Sequence, residues 1–102
     1  MNETTRAALV ELLVELDRAD QAEHYDRRNR LLCMAVVHAQ QLGYRCGCRI
    51  DQKEPDWPVL FLELPTGQIS YHLPQHALVW DGHTPEEKRQ RLWAFVRLPI
   101  DK

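Results

Sequence analysis

Residues 64–91 read LPTGQISYHLPQHALVWDGHTPEEKRQR, and the punctuation of this stretch decides the fold: a hairpin turn, a strand, a loop and a capped helix follow one another. Pro65-Thr66-Gly67 is the connection of a tight hairpin, with proline pre-set for the first corner and glycine free to take a positive φ as the strand restarts. The spacing then predicts a strand over 68–73, with Ile69, Tyr71 and Leu73 on one face and Ser70 and His72 on the other. Two polar groups standing about 7 Å apart along a strand are a first functional hint. Pro74 ends the strand, and 75–79 reads as an irregular loop. Trp80-Asp81-Gly82-His83 leads into Thr84-Pro85-Glu86-Glu87, which combines a capping threonine, a first-position proline and the glutamate of a capping box. The helix it opens runs to about Arg97, with Leu92, Trp93 and Val96 available for burial.

Working outward, residues 57–64 carry apolar side chains on both faces, Val59 and Phe61 against Leu60, Leu62 and Leu64, as a central strand requires. Residues 44–51 alternate, with Tyr44, Cys46, Cys48 and Ile50 pointing one way and Arg45, Arg49 and Asp51 the other. The period predicts a half-buried strand with a basic outer face. Upstream, Ala8, Leu9, Leu12, Leu13 and Leu16 recur at helical spacing within residues 3–18. Asp20 with Glu23 reads as the capping box of a second helix that carries Leu31, Leu32, Ala35, Ala39 and Leu42 inward and stops at Gly43. The fold class expected is therefore α+β: two N-terminal helices on a three-stranded antiparallel meander of order 1-2-3, closed by a C-terminal helix. One domain is expected over 1–102, with 1–18 as a helical extension and 20–97 as the core.

Composition bounds the function classes. A hydrophobic share of 44% with 27% charged residues belongs to an ordinary globular chain and argues against intrinsic disorder. A formal net charge of −2 argues against wholesale coating of nucleic acid and equally against an acidic nucleic-acid mimic. Three cysteines leave at least one unpaired, which fits a reducing compartment. Asn2, Glu3 and Arg6 replace the apolar core of a signal peptide, so a cytoplasmic protein without membrane association is expected.

Ser70, His72, His76, Asp81 and His83 are close in sequence, and the loop between the third strand and the third helix can fold them together. Imidazoles with a carboxylate suit a divalent transition metal; Ser70 with His72 or His83 and Asp81 has the makings of an acyl-transfer site. Against both, no CxxC, HExxH or GxSxG motif is present, and adjacent same-face strand residues give a base poor approach to the hydroxyl. Asp81-Gly82 reads as a turn and Trp80 as a core anchor. No cofactor and no bound metal is expected. Arg27, Arg28 and Arg30 with Arg45 and Arg49 form the one basic concentration, and the bland reading makes it a solvated face balanced by Asp20, Glu23, Asp26 and Asp51. Cys33, Cys46 and Cys48 are expected as buried free thiols rather than as a sulfur metal corner.

The run WPVLFLELPTGQISYHLPQH followed by WDGHTPEEKRQR resembles a group of uncharacterised short proteins common in phages, prophages and bacterial genomes, whose shared core is LPTGQ-S-aromatic-H, a variable loop, then WDGHT-x-EEK. Tyr71 stands where that group has tryptophan, and Arg89 where it has an aromatic. The resemblance carries no enzymatic activity with it. It implies a small protein that binds and redirects or inhibits host machinery, defence systems of the CRISPR type included.

The expectation is a non-enzymatic binding or inhibitor protein of phage or prophage type, docking on a host protein or nucleoprotein complex. Its binding residues would be Ser70, His72, Trp80, Asp81 and His83, with Arg45 and Arg49 on the strand face. Direct nucleic-acid contact stays open but is not favoured. The alternative is a small hydrolase or nuclease, metal-assisted or not, working through His72, Asp81 and His83. A third reading is a homodimer that buries the second apolar face of the central strand.

Overall fold

The computed structural model describes residues 2–50, 58–73 and 85–98. Its elements are α1 (Asn2–Gln21), α2 (Tyr25–Gln41), β1 (Cys46–Arg49), β2 (Val59–Leu64), β3 (Gly67–His72) and α3 (Pro85–Arg97), the ααβββα order that the periodicities predict. The strands pair antiparallel in the order β1-β2-β3. Leu62 is opposite Cys46 on one side and Ile69 on the other, while Phe61 is opposite Gly47 and Ser70.

Alternation along these registers sorts the sheet into two faces. Leu62, Leu64, Ile69 and Tyr71 turn toward the helices and join Leu9, Leu13 and Leu16 of α1, Leu32, Ala35 and Ala39 of α2, and Leu92 and Phe95 of α3 in one core. The first helix, expected as an extension on a core of 20–97, thus supplies three fully buried leucines to that core. Burying a leucine stabilises by about 1.5–3 kcal/mol, so α1 is integral to the fold.

The junction between α1 and α2 departs from the capping-box reading. Asp20 belongs to the last turn of α1, and α2 begins at Tyr25 behind His24, which makes no side-chain capping bond. Glu23 adopts φ +61°, and the His24 N–H donates back to the Ala19 carbonyl at 2.9 Å. That is a left-handed C-terminal cap, a position that glycine usually fills. The Asp20 carboxylate is engaged elsewhere, as described below. At the other end of α2, Gly43 (φ +86°) caps the helix as its sequence position predicts, and Tyr44 N–H donates to Ala39 at 3.0 Å.

Polar contacts fasten α3 to the rest. Asp17, buried on α1, accepts from Trp93 Nε1 at 3.0 Å and from Gln21 at 2.6 Å, and lies 3.5 Å from Arg89 Nε. Arg6 donates to the carbonyls of Phe95 and Leu98, which ties the N-terminal turns of α1 to the end of α3. No helix among the described residues is long and apolar enough to cross a membrane.

Candidate functional site

Four of the seven residues expected to bind, Arg45, Arg49, Ser70 and His72, fall in described parts of the sheet; Trp80, Asp81 and His83 lie outside the described residues. The convergence of His72 with His83 therefore lies outside them too. The registers put all four on the face of the sheet that points away from the helices. Their environments split sharply. Ser70 is 0% exposed and His72 4%, whereas the Arg45 side chain is 77% exposed and Arg49 is exposed as well.

At the exposed end of this face Phe61 is the centre. Its ring packs on Gly47 of β1, where even an added Cβ would sit at ordinary contact distance, 3.5 Å from Cε2 and Cζ. Arg45, just ahead of β1, and Arg49, its last residue, each hold a guanidinium near that ring, with Cζ 5.9 and 5.5 Å from the centroid. Such contacts are worth about 0.5–1 kcal/mol each at exposed sites and restrict the rotamers of two long side chains. Glu63 touches the group at one point, 3.4 Å from Arg45 Nη1, and its carboxylate also accepts from Gln68 at 3.2 Å. The basic strand face is real, and Phe61, which the sequence reading left out of the site, is what organises it. Strand alternation alone puts Phe61 on the right face; only the register shows that it meets Gly47 between the two arginines.

Arg28 corrects the reading of the basic residues as one solvated flank. It is 1% exposed. Nη1 donates to Asp20 Oδ1 at 2.9 Å, Nη2 to the His72 carbonyl at 2.9 Å and to Asn29 Oδ1 at 2.8 Å, and Nε to Asn29 Oδ1 at 3.1 Å. The guanidinium carbon lies 5.0 Å from the Tyr25 ring centroid and 5.3 Å from that of Tyr71, and Lys88 Nζ approaches Tyr71 at 5.1 Å. Desolvation by burial raises the Tyr71 hydroxyl well above its ordinary value, and Asp20 and Asp17 push the same way. One arginine therefore ties α1 and α2 to the last residue of β3. A signal for this was in the sequence, since Arg28 stands in helical register with Leu32, Ala35 and Ala39 of the inward stripe.

The LPTGQ stretch has an architectural role. Thr66 Oγ1 donates to the Arg91 carbonyl at 2.7 Å, and Arg91 Nη1 donates to the Gln68 carbonyl at 2.7 Å. Gly67, at φ +133°, leaves the space that Arg91 occupies; a Cβ there would come within 2.7 Å of Arg91 Cδ. Leu64 is buried in the core. This motif docks the hairpin on α3.

The cysteines differ from expectation. Cys33 and Cys48 are exposed and Cys46 is half-buried, because α2 turns Cys33 outward and β1 stands at the end of the strand order among the described residues. Burial raises the Cys46 thiol above its ordinary value. Among the described residues no three His, Cys, Asp or Glu side chains are grouped so as to hold a metal ion. A shallow groove of about 220 Å³ runs along α3, lined by Glu86, Arg89, Gln90, Trp93 and Arg97, and contains none of the residues expected to bind.

No curated protein and no solved structure is significantly similar to this chain. A family model described as the WDGH domain, the letters of Trp80-Asp81-Gly82-His83, matches residues 14–95, and the chain belongs to that family.

Proposed function

We propose that this protein is a non-enzymatic binding domain that docks on a host protein or nucleoprotein complex through the outer face of its sheet. The observation that carries the reading is the exposed pair of guanidinium groups, Arg45 and Arg49, held beside Phe61. Two arginines ordered against an aromatic lose less freedom on binding than two mobile ones, and an aromatic with arginines is the composition from which interface anchors are drawn. Burial of Ser70 and His72 weighs against their touching a substrate directly. The resemblance to phage and prophage proteins supplies the concrete form of the role, an inhibitor of host machinery such as a defence complex.

Affinity capture from host lysate, with native protein and an Arg45→Glu/Arg49→Glu variant as paired baits, tests the proposal. The expected result is a stoichiometric partner held by the native protein and lost by the variant. Turnover of an ester or phosphoester by the purified protein, abolished by His72→Gln in a protein that still folds, would overturn it in favour of the hydrolase.

A further inference from the structure

We infer that the edge of β1 that no strand pairs among the described residues is a strand-docking site for an extended protein segment in which two acidic residues stand four positions apart with apolar residues at the two positions flanking their midpoint. The inference rests on the docking reading above and names the partner's chemistry. Three observations on one short strand converge on it.

The first is the edge itself. In the sheet order β1 has β2 as its only neighbour among the described residues. The Arg45 carbonyl accepts from Glu63 N–H at 2.8 Å, so Arg45 bonds toward β2. Antiparallel alternation then points the peptide groups of Gly47 and Arg49 toward β2 and those of Cys46 and Cys48 outward. Donors and acceptors at two successive outward residues are what a strand adding to a sheet requires.

The second is charge on the outer face. Arg45 and Arg49 are about 13 Å apart along an extended chain. Residues of an incoming strand opposite Arg45, Gly47 and Arg49 would be in non-hydrogen-bonded pairs, where side chains on one face approach most closely. Carboxylates opposite the two arginines meet ordered guanidinium forks and can be taken bidentate. The residue between them falls opposite Gly47, beside Phe61. The ring already lies on Gly47 with two guanidiniums near it, which leaves a stacking nucleobase poor access and favours a peptide over single-stranded nucleic acid.

The third is exposed apolar surface on the other face of β1 and just beyond its end. Cys48 is exposed, and Ile50, next in alternation, is 63% exposed. The incoming residues that pair with Cys46 and Cys48 share this side, so apolar side chains there would cover surface that now faces water. The segment reads acid, apolar, any residue, apolar, acid. The same charges argue against a second copy at this edge, because an antiparallel β1–β1 pair would set arginine against arginine.

The test is selection of random linear peptides against the full chain, followed by binding of the enriched peptide to native and Arg45→Glu/Arg49→Glu protein. The expected outcome is enrichment of the acid-apolar-x-apolar-acid pattern and at least roughly tenfold weaker binding to the variant, with unchanged melting and no competition from a single-stranded DNA oligonucleotide. Enriched peptides lacking acids, equal binding to the variant, competition by the DNA, or self-association through this edge would each overturn the inference. No enrichment at all, while the variant still loses the captured partner, would overturn edge pairing and leave the sheet-face reading standing.

Discussion

Arg28 Nη2 donates a 2.9 Å hydrogen bond to the carbonyl oxygen of His72, 44 residues further along the chain. A charged side chain excluded from water thereby fixes the end of β3 against the helix pair, and Asp20 supplies its counter-charge from α1. Removing Arg28 takes from the His72 carbonyl and the partly exposed Asp20 a charge-assisted hydrogen bond each.

Arg28→Met is accordingly expected to lower stability by about 2–3 kcal/mol. Arg28→Lys recovers only part of this, since a single ammonium cannot serve Asp20, Asn29 and the His72 carbonyl in the geometry of a planar fork. Urea unfolding of the two variants measures both effects. A loss below about 1 kcal/mol for Arg28→Met would mean that the network contributes little.

Glu23→Gly should stabilise the protein by about 1 kcal/mol, because the left-handed backbone at φ +61° is strained for an L-residue and natural for glycine. The same urea experiment reads the gain. Destabilisation by this change would show that the Glu23 side chain makes a contribution larger than the backbone strain.

Gly67→Ala acts in the opposite direction. Its Cβ would press on Arg91 and its φ of +133° disfavours any side chain, so a loss on the order of 1–3 kcal/mol is expected. Thr66→Val, which removes the hydroxyl donor to Arg91, should lose about 1 kcal/mol. Thermal unfolding of Gly67→Ala at the native midpoint would contradict the docking role of the turn.

The pH dependence follows from Tyr71. Its folded value is raised above the ordinary 10 by burial, so above pH 10 the unfolded chain releases the phenolic proton while the native protein keeps it. The native state then binds more protons, and stability falls as pH rises through that range; below it the contribution is fully present. Urea midpoints taken from about pH 9 to pH 11 should decline more steeply for the native protein than for Tyr71→Phe. Parallel declines would remove Tyr71 from the explanation.

Most of the architecture was legible because each element carried a local signature: the leucine period of α1, the alternation of 44–51, the Pro-Thr-Gly turn, the proline that opens α3. The α1–α2 junction departs from its local signature for a physical reason. Asp20 and Glu23 have the spacing of a capping box, yet Asp20 gains more by pairing with buried Arg28. The charge of Arg28 suggests solvent, as for its exposed neighbours, although the helical period places it on the buried stripe. The candidate site was half legible. Alternation put Arg45 and Arg49 on an outer face, but that Phe61 and Gly47 sit between them depends on strand register, which no local signal specifies.

The proposed docking of a partner on the face bearing Arg45, Phe61 and Arg49 depends on the two arginines. Its most direct test is a calorimetric titration of the captured partner into native protein and into the Arg45→Glu/Arg49→Glu variant, with both proteins first matched for unfolding midpoint. Binding by the variant is expected to be at least roughly 30-fold weaker, the equivalent of about 2 kcal/mol. Equal affinity for the two proteins would contradict it.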